Sequence, residues 1–438
     1  MVDIAPFRAL RYTTSGKSND ISNQICPPYD VISPQERTQL AKKSKNNVVL
    51  LEIPSGDGFQ KYKNASKLLQ AWERQGVLGL ENEPSFYLIE TTYRIKDAFA
   101  PQKLLKRYGV MTALRLETPG KGHVRPHEKT LPKAKEDRLN LLTEVKTNVS
   151  PIFGLFFDNK NQWNKWIQKT IRLKPTVQGK EHNELTHRMW QISNKDLIKE
   201  LSLVLKSKEL YIADGHHRYE VAWAYREGRL KKKNAASDKA GWRRVMAYVC
   251  PMEEQGLLML PTHRLVKTPH SLEVWQEYLS SIFDIKPVKN IQSVVDVLMK
   301  EGPRPGQKKR RRVLGWVNAK GSFILSLKKD VPVDWILKKR PQALKDLDVV
   351  WLHDLAMGES QTPSVVKDKE LIYTRDLKEI QSHIKKDSKW VAFLVGSAGV
   401  ESLAKVAAAR QVMPPKTTYF YPKVPTGFTM MPLEQDIP

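Results

Sequence analysis

Short apolar runs of strand length alternate with longer amphipathic stretches along the first half of the chain. Three runs rich in β-branched and aromatic residues predict strands over residues 85–95, 108–117 and 150–158. Residues 62–76 and 194–207 instead carry apolar positions at helical spacing, which predicts amphipathic helices. The alternation is typical of a mixed α and β protein.

The same alternation continues in the last third of the chain. Residues 271–283 predict a helix, and two apolar runs flanking Asn318–Gly321 predict a hairpin. Residues 347–357 have a helical pattern, and residues 419–422 form a final aromatic run. We find no internal repeat and no long low-complexity tract, and a composition that is 40% hydrophobic is enough to build ordinary cores.

Positive charge dominates the composition but is unevenly distributed. The 438 residues include 73 Lys+Arg and 47 Asp+Glu, a formal net charge of +26. The densest run is Lys308–Arg312, and a second run is Lys231–Lys233. Such runs can hold nucleic-acid phosphates. The alternative is a pair of solvated loops, because aromatic residues do not interleave with the charges as single-strand binding prefers. A nucleic-acid partner is therefore possible but not favoured.

Two cysteines and the absence of a long apolar segment restrict the cellular setting. Cys26 and Cys250 are too few for a disulfide scaffold or a four-thiolate zinc site. No stretch approaches about 18 consecutive apolar residues, and the first residues do not follow the plan of a signal peptide. We expect a soluble cytoplasmic protein without a membrane partner, whereas the oligomeric state is left open.

The segment Tyr211–Glu220 carries the most specific local chemistry. An apolar strand is predicted to end at Asp214, Gly215 permits a tight turn, and a helix is predicted to begin at His216. Unpaired N–H groups at a helix start, with His217 and Arg218 beside them, suit a phosphate group. A structural histidine cap is the main alternative. A metal site is a weaker one, because adjacent histidines on a helix point in different directions.

These residues belong to a set of motifs that resembles the Domain of Unknown Function 1015 family. The motifs are CPPYDVIS, RPHEKT, ADGHHRYE, PTHR and MPPKTTYFYPK, and they run from near one end of the chain to near the other. The DGHHR element is also similar to the phosphate loop of the ParB/sulfiredoxin fold group. That resemblance implies that nucleotide phosphates are cradled by Asp214, Gly215, His216, His217 and Arg218.

The resemblance also implies a domain organisation. We expect an α+β fold with mixed sheets, in which residues 106–268 form a ParB/sulfiredoxin-like core that binds nucleotide phosphate. Residues 1–105 would form an N-terminal α/β segment, and residues 269–438 a C-terminal α/β domain. Sulfiredoxin chemistry itself is disfavoured, because it uses a cysteine in the loop where this chain has His216.

The RPHEKT segment offers the other groups that phosphoryl transfer needs. Pro126 keeps the preceding backbone extended, which predicts a loop. Glu128 is the candidate general base or magnesium ligand. His127 and Lys129 would contact phosphate or a substrate carboxylate, and Arg125 would stabilise charge. The alternative is a surface loop with paired charges.

Six further residues are candidates for substrate binding, each with a structural alternative. The alternatives are a rigid proline turn, a cap at a strand end and a docked aromatic tail. The candidates are Tyr29, Asp30, His263, Arg264, Lys416 and Thr417.

The function implied by the resemblance to free-serine kinases is phosphoryl transfer to a small hydroxyl-bearing metabolite. L-serine is the favoured acceptor, with ATP or ADP as donor and Mg²⁺ as cofactor. The alternative is a nucleotide-switched nucleic-acid-binding or regulatory protein of the ParB type, or a family member without catalysis. The net charge favours the nucleic-acid alternative, while the absence of a helix-turn-helix pattern opposes it.

Overall fold

The computed structural model describes residues 1–14, 19–127, 132–181, 184–231, 237–267, 270–301, 312–358, 370–414 and 416–438. The chain divides into two compact units, here unit 1 and unit 2. Unit 1 comprises Met1–Arg94, Lys103–Leu257 and Pro422–Pro438, and unit 2 comprises Ile95–Gln102 and Leu258–Tyr421. The expected boundary after residue 105 therefore falls inside unit 1, and the one after residue 268 falls inside unit 2.

The strands are short, and most lie in two sheets. In chain order they are β1 (Ile4–Ala5), β2 (Leu10–Tyr12), β3 (Leu78–Leu80), β4 (Phe86–Tyr93), β5 (Leu105–Arg115), β6 (Val124–Arg125), β7 (Thr147–Asn148), β8 (Ile152–Phe156), β9 (Val177–Lys180), β10 (Thr186–Ile192), β11 (Leu210–Asp214), β12 (Arg244–Pro251), β13 (Leu258–Leu260), β14 (His263–Lys267), β15 (Phe283–Val288), β16 (Val313–Asn318), β17 (Gly321–Leu327), β18 (Glu370–Thr374), β19 (Trp390–Leu394), β20 (Tyr419–Tyr421) and β21 (Met431–Pro432).

The helices lie between these strands. They are α1 (Pro34–Lys43), α2 (Val49–Glu52), α3 (Gln60–Arg74), α4 (Pro132–Val145), α5 (Gln162–Thr170), α6 (Lys195–Lys206), α7 (His216–Leu230), α8 (Leu272–Ile282), α9 (Ile291–Glu301), α10 (Val333–Ile336), α11 (Gln342–Lys345), α12 (Asp348–Trp351), α13 (Leu377–Lys386) and α14 (Val400–Ala408). Short 3₁₀ turns occur at Tyr29–Val31 and Gly241–Arg243, and a π-helical turn follows α12 at Leu352–Ala356.

Unit 1 is organised around a mixed sheet. Its strand order is β6-β11-β8-β12-β5-β4-β10-β9, and β1 adds to β5. The pairs β6/β11 and β8/β12 are parallel, whereas the other pairs are antiparallel. The central strands are almost continuously buried because both of their faces are covered, as the apolar runs predict. The prediction of an α+β fold with mixed sheets is confirmed.

Residues that follow unit 2 in the chain complete unit 1. Strand β21 pairs with β7, and single bridges join Leu10 to Met430 and Cys26 to Thr426. The side chains of Phe428, Met430 and Met431 are buried. Unit 1 is therefore built from three separate stretches of sequence.

Unit 2 contains an antiparallel sheet with the order β15-β17-β16-β19-β14-β18. The predicted hairpin around Asn318–Gly321 is confirmed as β16 and β17. Helix α9 packs Val294, Val295 and Leu298 onto this sheet, in a cluster that also contains Trp390 and Leu394. Across the described ranges, each helix is too short or too polar to span a bilayer.

Candidate functional site

Two chain segments leave the same edge of the unit 1 sheet. Strand β6 runs parallel to β11, with Arg125 paired with Tyr211. Beyond these strands lie His127 on one segment and Asp214 on the other. Because parallel strands end at the same edge, His127 of the RPHEKT motif and His216 of the DGHHR motif meet there although 89 residues separate them.

The turn after β11 confirms the predicted strand, glycine and helix. Strand β11 ends at Asp214, Gly215 has φ +86°, and α7 begins at His216. A Cβ at Gly215 would lie 3.1 Å from the Cα of Ile152 and 3.1 Å from Nε of Arg218, so a side chain has little room. The first-turn N–H groups of α7 have no intrahelical acceptor. The turn thus has the backbone form that holds an anion.

Asp214 lies between two cations. Its Oδ2 accepts a hydrogen bond from Nη2 of Arg218 at 2.6 Å, and its Oδ1 accepts one from Nζ of Lys423 at 2.5 Å. Burial alone would raise the pKa of this carboxyl, but Lys423 and Arg218 together lower it to about 2. Asp214 is therefore ionised throughout the neutral range and fixes both cations at the turn.

The guanidinium of Arg218 braces the turn. Besides its bond to Asp214, Nη1 donates to the carbonyl oxygen of Pro151. The side chain is 10% exposed, and its Nε has no hydrogen-bond partner within the described part of the chain. That Nε faces the side of Gly215 where a side chain is absent. The predicted bidentate fork is thus largely engaged inside the protein, and one buried donor remains at the turn.

Tyr29 and Asp30 lie beside the turn, on the 3₁₀ turn that follows Pro27 and Pro28. The Tyr29 ring lies under two guanidinium groups, with its centroid 4.4 Å from Cζ of Arg138 and 5.8 Å from Cζ of Arg218. Burial is the main cause that raises the pKa of Tyr29 to about 12. Its phenol therefore stays neutral, and the ring acts as a stacking surface for the two cations.

Asp30 retains solvent contact, and the direction of its pKa shift is opposite to that of Asp214. The surrounding protein atoms raise the pKa of its carboxyl, and the charge of Asp214 raises it further, against the opposing effects of Arg218 and Lys423. Two neighbouring carboxylates whose pKa values are driven apart are characteristic of acid–base sites. Asp30 is the one of the two that can take up a proton.

A pair of buried histidines joins the two motifs. The backbone N–H of His127 donates to Nε2 of His216 at 3.2 Å, and the two rings are edge to face at a centroid distance of 4.7 Å. Burial is the main cause that lowers the pKa of both rings, to about 4 for His127 and well below its ordinary value for His216. Both rings are therefore neutral at physiological pH. His127 contacts the loop through its backbone, and its ring faces the interior.

The remaining residues of these motifs have varied surroundings. Arg125 forms an ion pair with Glu209, and Glu220 forms one with Lys135 of α4. His217 is half-buried, and burial is the main cause that lowers its pKa. Glu128 and Lys129, the predicted base and phosphate contact, lie outside the described residues.

Four predicted substrate-binding residues belong to unit 2. His263 and Arg264 are buried in β14, where Nδ1 of His263 accepts from the Val395 N–H at 3.4 Å and the Arg264 guanidinium lies over a tyrosine ring. The hydroxyl of Thr417 donates to a backbone carbonyl at 2.6 Å. Lys416 is exposed with φ +55°. The loop, Tyr29 and Asp30 belong to unit 1.

Sequence reasoning did not predict the partners of Lys423 and Arg138 at this site. Lys423 is the last residue of the MPPKTTYFYPK motif, so the motif gave a signal, but the ion pair with Asp214 spans 209 residues. Arg138 donates to Asp137 and to the carbonyl of Glu52 while stacking on Tyr29. Neither pairing follows from local spacing.

The described residues suit a phosphate group better than a bare metal ion. No group of three or more His, Cys, Asp or Glu side chains in the described ranges could hold a metal. Both oxygens of Asp214 already accept hydrogen bonds from cations, which leaves Asp30 as the accessible carboxylate. The N–H groups in the first turn of α7 suit an anion such as phosphate.

The basic runs can be placed only in part. Residues 308–311 and 232–233 lie outside the described residues. Arg312 forms an ion pair with Asp346, and its guanidinium lies 4.1 Å from the ring centroid of Trp351. This end of the densest run is therefore engaged within unit 2.

Comparison with known protein families gives a match over most of the chain. A family model described as "Protein of unknown function (DUF1015)" matches residues 4–350. Four of the five motifs lie within this range, and MPPKTTYFYPK lies beyond it. No curated protein matches the sequence significantly.

Several solved structures show distant similarity. A conserved hypothetical protein from Pyrococcus furiosus is 12% identical with a TM-score of 0.33, covering 72% of this chain and 90% of its own. Free serine kinase in complex with AMP is 13% identical with a TM-score of 0.34, covering 72% and 87%. SbnI with a C-terminal truncation, from Staphylococcus aureus, is 10% identical with a TM-score of 0.35, covering 74% and 87%.

Proposed function

This chain belongs to the DUF1015 family, and we propose that it catalyses nucleotide-dependent phosphoryl transfer to a small hydroxyl-bearing metabolite. The observation that carries this proposal is the pairing of a phosphate-type turn with a protonatable carboxylate. Gly215 and the first turn of α7 provide the turn, and Asp30 lies beside it with a raised pKa. Phosphoryl transfer needs mainly positioned phosphates and a group that accepts the proton of the attacking hydroxyl.

The residues divide into two roles. The N–H groups of His216, His217 and Arg218 would hold nucleotide phosphate, with the Arg218 Nε as a further donor. Asp30 would accept the hydroxyl proton as the acceptor oxygen bonds to the terminal phosphorus and the bond from phosphorus to the leaving nucleotide breaks. Asp214 would orient the cations and remain ionised.

The RPHEKT segment supplies further candidates. Glu128 is an alternative general base or a magnesium ligand, and Lys129 and Arg125 would stabilise charge. The backbone bond from His127 to His216 supports a position beside the turn for the start of this segment. Magnesium, when bound with the nucleotide, would neutralise phosphate charge, and Asp30 and Glu128 are the carboxylates that would contact it.

L-serine is the acceptor that we propose, with ATP or ADP as donor. This choice follows the resemblance of the DGHHR element to the phosphate loop of free-serine kinases. The polar groups expected for serine are a cation for its carboxylate and a carboxylate for its ammonium group. Tyr29, Asp30, His263, Arg264, Lys416 and Thr417 stay candidates for substrate contact.

The test is phosphorus NMR of the purified protein with magnesium, ATP or ADP, and L-serine. We expect a new phosphomonoester signal from the wild-type protein and a loss of at least about 100-fold in rate for Asp30→Asn, the scale of general-base catalysis. Asp57→Asn, at an exposed loop position, is the matched control. Nucleotide binding should survive in Asp30→Asn. Full turnover by Asp30→Asn would show that Asp30 is not the general base and would favour Glu128. If the wild-type protein phosphorylates no hydroxyl compound, the proposed kinase activity is wrong.

A further inference from the structure

Lys423 is brought to the turn by a stretch of chain that returns from unit 2. The chain re-enters unit 1 at Pro422. The Lys423 ammonium then donates to Asp214 at 2.5 Å, with its side chain 14% exposed. Lys423 also lowers the pKa of Asp30, Asp214 and His216. A single ammonium group therefore acts electrostatically on three groups of the candidate site.

A fully buried arginine fixes the backbone at this point. Arg107 lies on β5 with no exposed surface. Its Nη1 donates to the carbonyl of Pro422, its Nη2 donates to that of Lys423 at 3.4 Å, and its Nε donates to the Tyr248 hydroxyl at 3.2 Å. The guanidinium also lies 5.0 Å from the ring centroids of Phe153 and Tyr248.

This environment is unusual for a buried cation. Burying a charge is costly unless it is paired or well hydrogen-bonded. The hydrogen bonds found for Arg107 in the described residues run to two carbonyls and a phenol, and none runs to a carboxylate. The result is a fixed backbone position for Lys423. A guanidinium suits this task because its planar donors reach two adjacent carbonyls at once.

Arg218 is likewise held, by Asp214 and the Pro151 carbonyl. We infer that Lys423 contacts the ligand's phosphate at the Gly215 turn alongside Arg218, and that Arg107 is the positioning residue that holds Lys423 there. This inference rests on the proposed function, because that function supplies the phosphate ligand. The contacts among Arg107, Lys423 and Asp214 do not depend on it.

The binding test compares ATP with adenosine by calorimetry. Lys423→Met should weaken ATP binding about 10- to 100-fold, the effect of losing a charge-assisted hydrogen bond, and should leave adenosine binding unchanged. Lys423→Arg should retain most of the affinity. The control is Lys169→Met, which removes an exposed lysine paired with Glu200. Unchanged ATP affinity in Lys423→Met would overturn the role of Lys423 while leaving the proposed function intact.

The positioning role of Arg107 is tested by a double-mutant cycle. If Arg107 acts through Lys423, Arg107→Met should weaken ATP binding by a similar factor, and the double variant should bind no more weakly than either single one. Because Arg107 is fully buried, Arg107→Lys is measured in parallel as the variant that keeps the charge and most of the volume. Additive losses in the cycle would overturn the positioning role.

A measurement without nucleotide tests the contacts among Arg107, Lys423 and Asp214 separately from the proposed function. Carbon NMR of labelled aspartate follows the titration of Asp214, whose pKa is about 2 in the wild-type protein. Lys423→Met should raise it, and Arg107→Lys should raise it too if Lys423 is displaced. An unmoved Asp214 titration in both variants would refute the geometry. If Asp214 shifts as expected but the wild-type protein binds no ATP, the proposed function fails and the positioning stands.

Discussion

Acidification is expected to destabilise unit 1 through the buried pair His127 and His216. Both residues are buried, and burial is the main cause that lowers their pKa values. The folded state keeps them neutral, whereas the unfolded chain takes up protons near pH 6.5. Unfolding therefore gains protons as the pH falls, and the free energy of unfolding decreases.

The size of the effect follows from the shift of His127. Its pKa falls from 6.5 to about 4, and each pKa unit corresponds to about 1.4 kcal/mol. His127 alone should thus remove about 3 kcal/mol of stability between pH 6.5 and pH 4. His216 and His217 act in the same direction, whereas the raised pKa of Asp30 opposes them. The depressed pKa of Asp214 adds its own loss only below about pH 4.

The measurement is urea unfolding at about pH 7, 5.5 and 4.5, read by pulsed hydrogen exchange at one fixed pulse pH. Peptides from α7 report on unit 1, so unfolding of unit 2, which contains the buried His263, does not confuse the result. His127→Gln should be less stable at neutral pH but should lose about 2 kcal/mol less on acidification to pH 4.5. Exposed His123→Gln is the control. An identical pH dependence in wild type and His127→Gln would refute the reasoning.

Three further results are expected. Cys26 and Cys250 are buried and their thiol pKa values are raised by burial, so a disulfide reagent should label neither thiol until the protein unfolds in denaturant. Gly256→Ala should destabilise unit 1 by about 1 to 3 kcal/mol in urea unfolding, because its Cβ would lie 2.0 Å from a backbone oxygen of β5. Arg340→Met should lower the thermal midpoint of unit 2 more than Asp354→Asn does, because it leaves a buried carboxylate without its bidentate partner.

Local patterns predicted the elements well. The spacing of apolar residues correctly predicts the strand that ends at Asp214 and the helix that begins at His216. The backbone freedom of glycine predicts the turn between them. The hairpin at Asn318–Gly321 follows for the same reason. Such features depend on neighbouring residues, and sequence spacing records them directly.

Long-range pairings were not available from the same reasoning. His127 meets His216 only because β6 and β11 are adjacent and parallel, which is a property of sheet order. Arg218 was expected to point at a ligand, yet most of its donors face Asp214 and a carbonyl. Whether an arginine contacts a ligand or braces the chain depends on the carboxylate that packs beside it, and no local pattern specifies that partner.

The interrupted layout of unit 1 has a consequence for its synthesis. Lys423 and the strand that pairs with β7 leave the ribosome after all of unit 2, which adds roughly 160 residues, or about 10 to 30 s of translation. During this interval the nascent chain contains Asp214 and Arg218 but lacks Lys423, the second cation that pairs with Asp214. The candidate site is therefore complete only after translation of unit 2, and a ribosome that stalls inside unit 2 releases a chain that lacks Lys423.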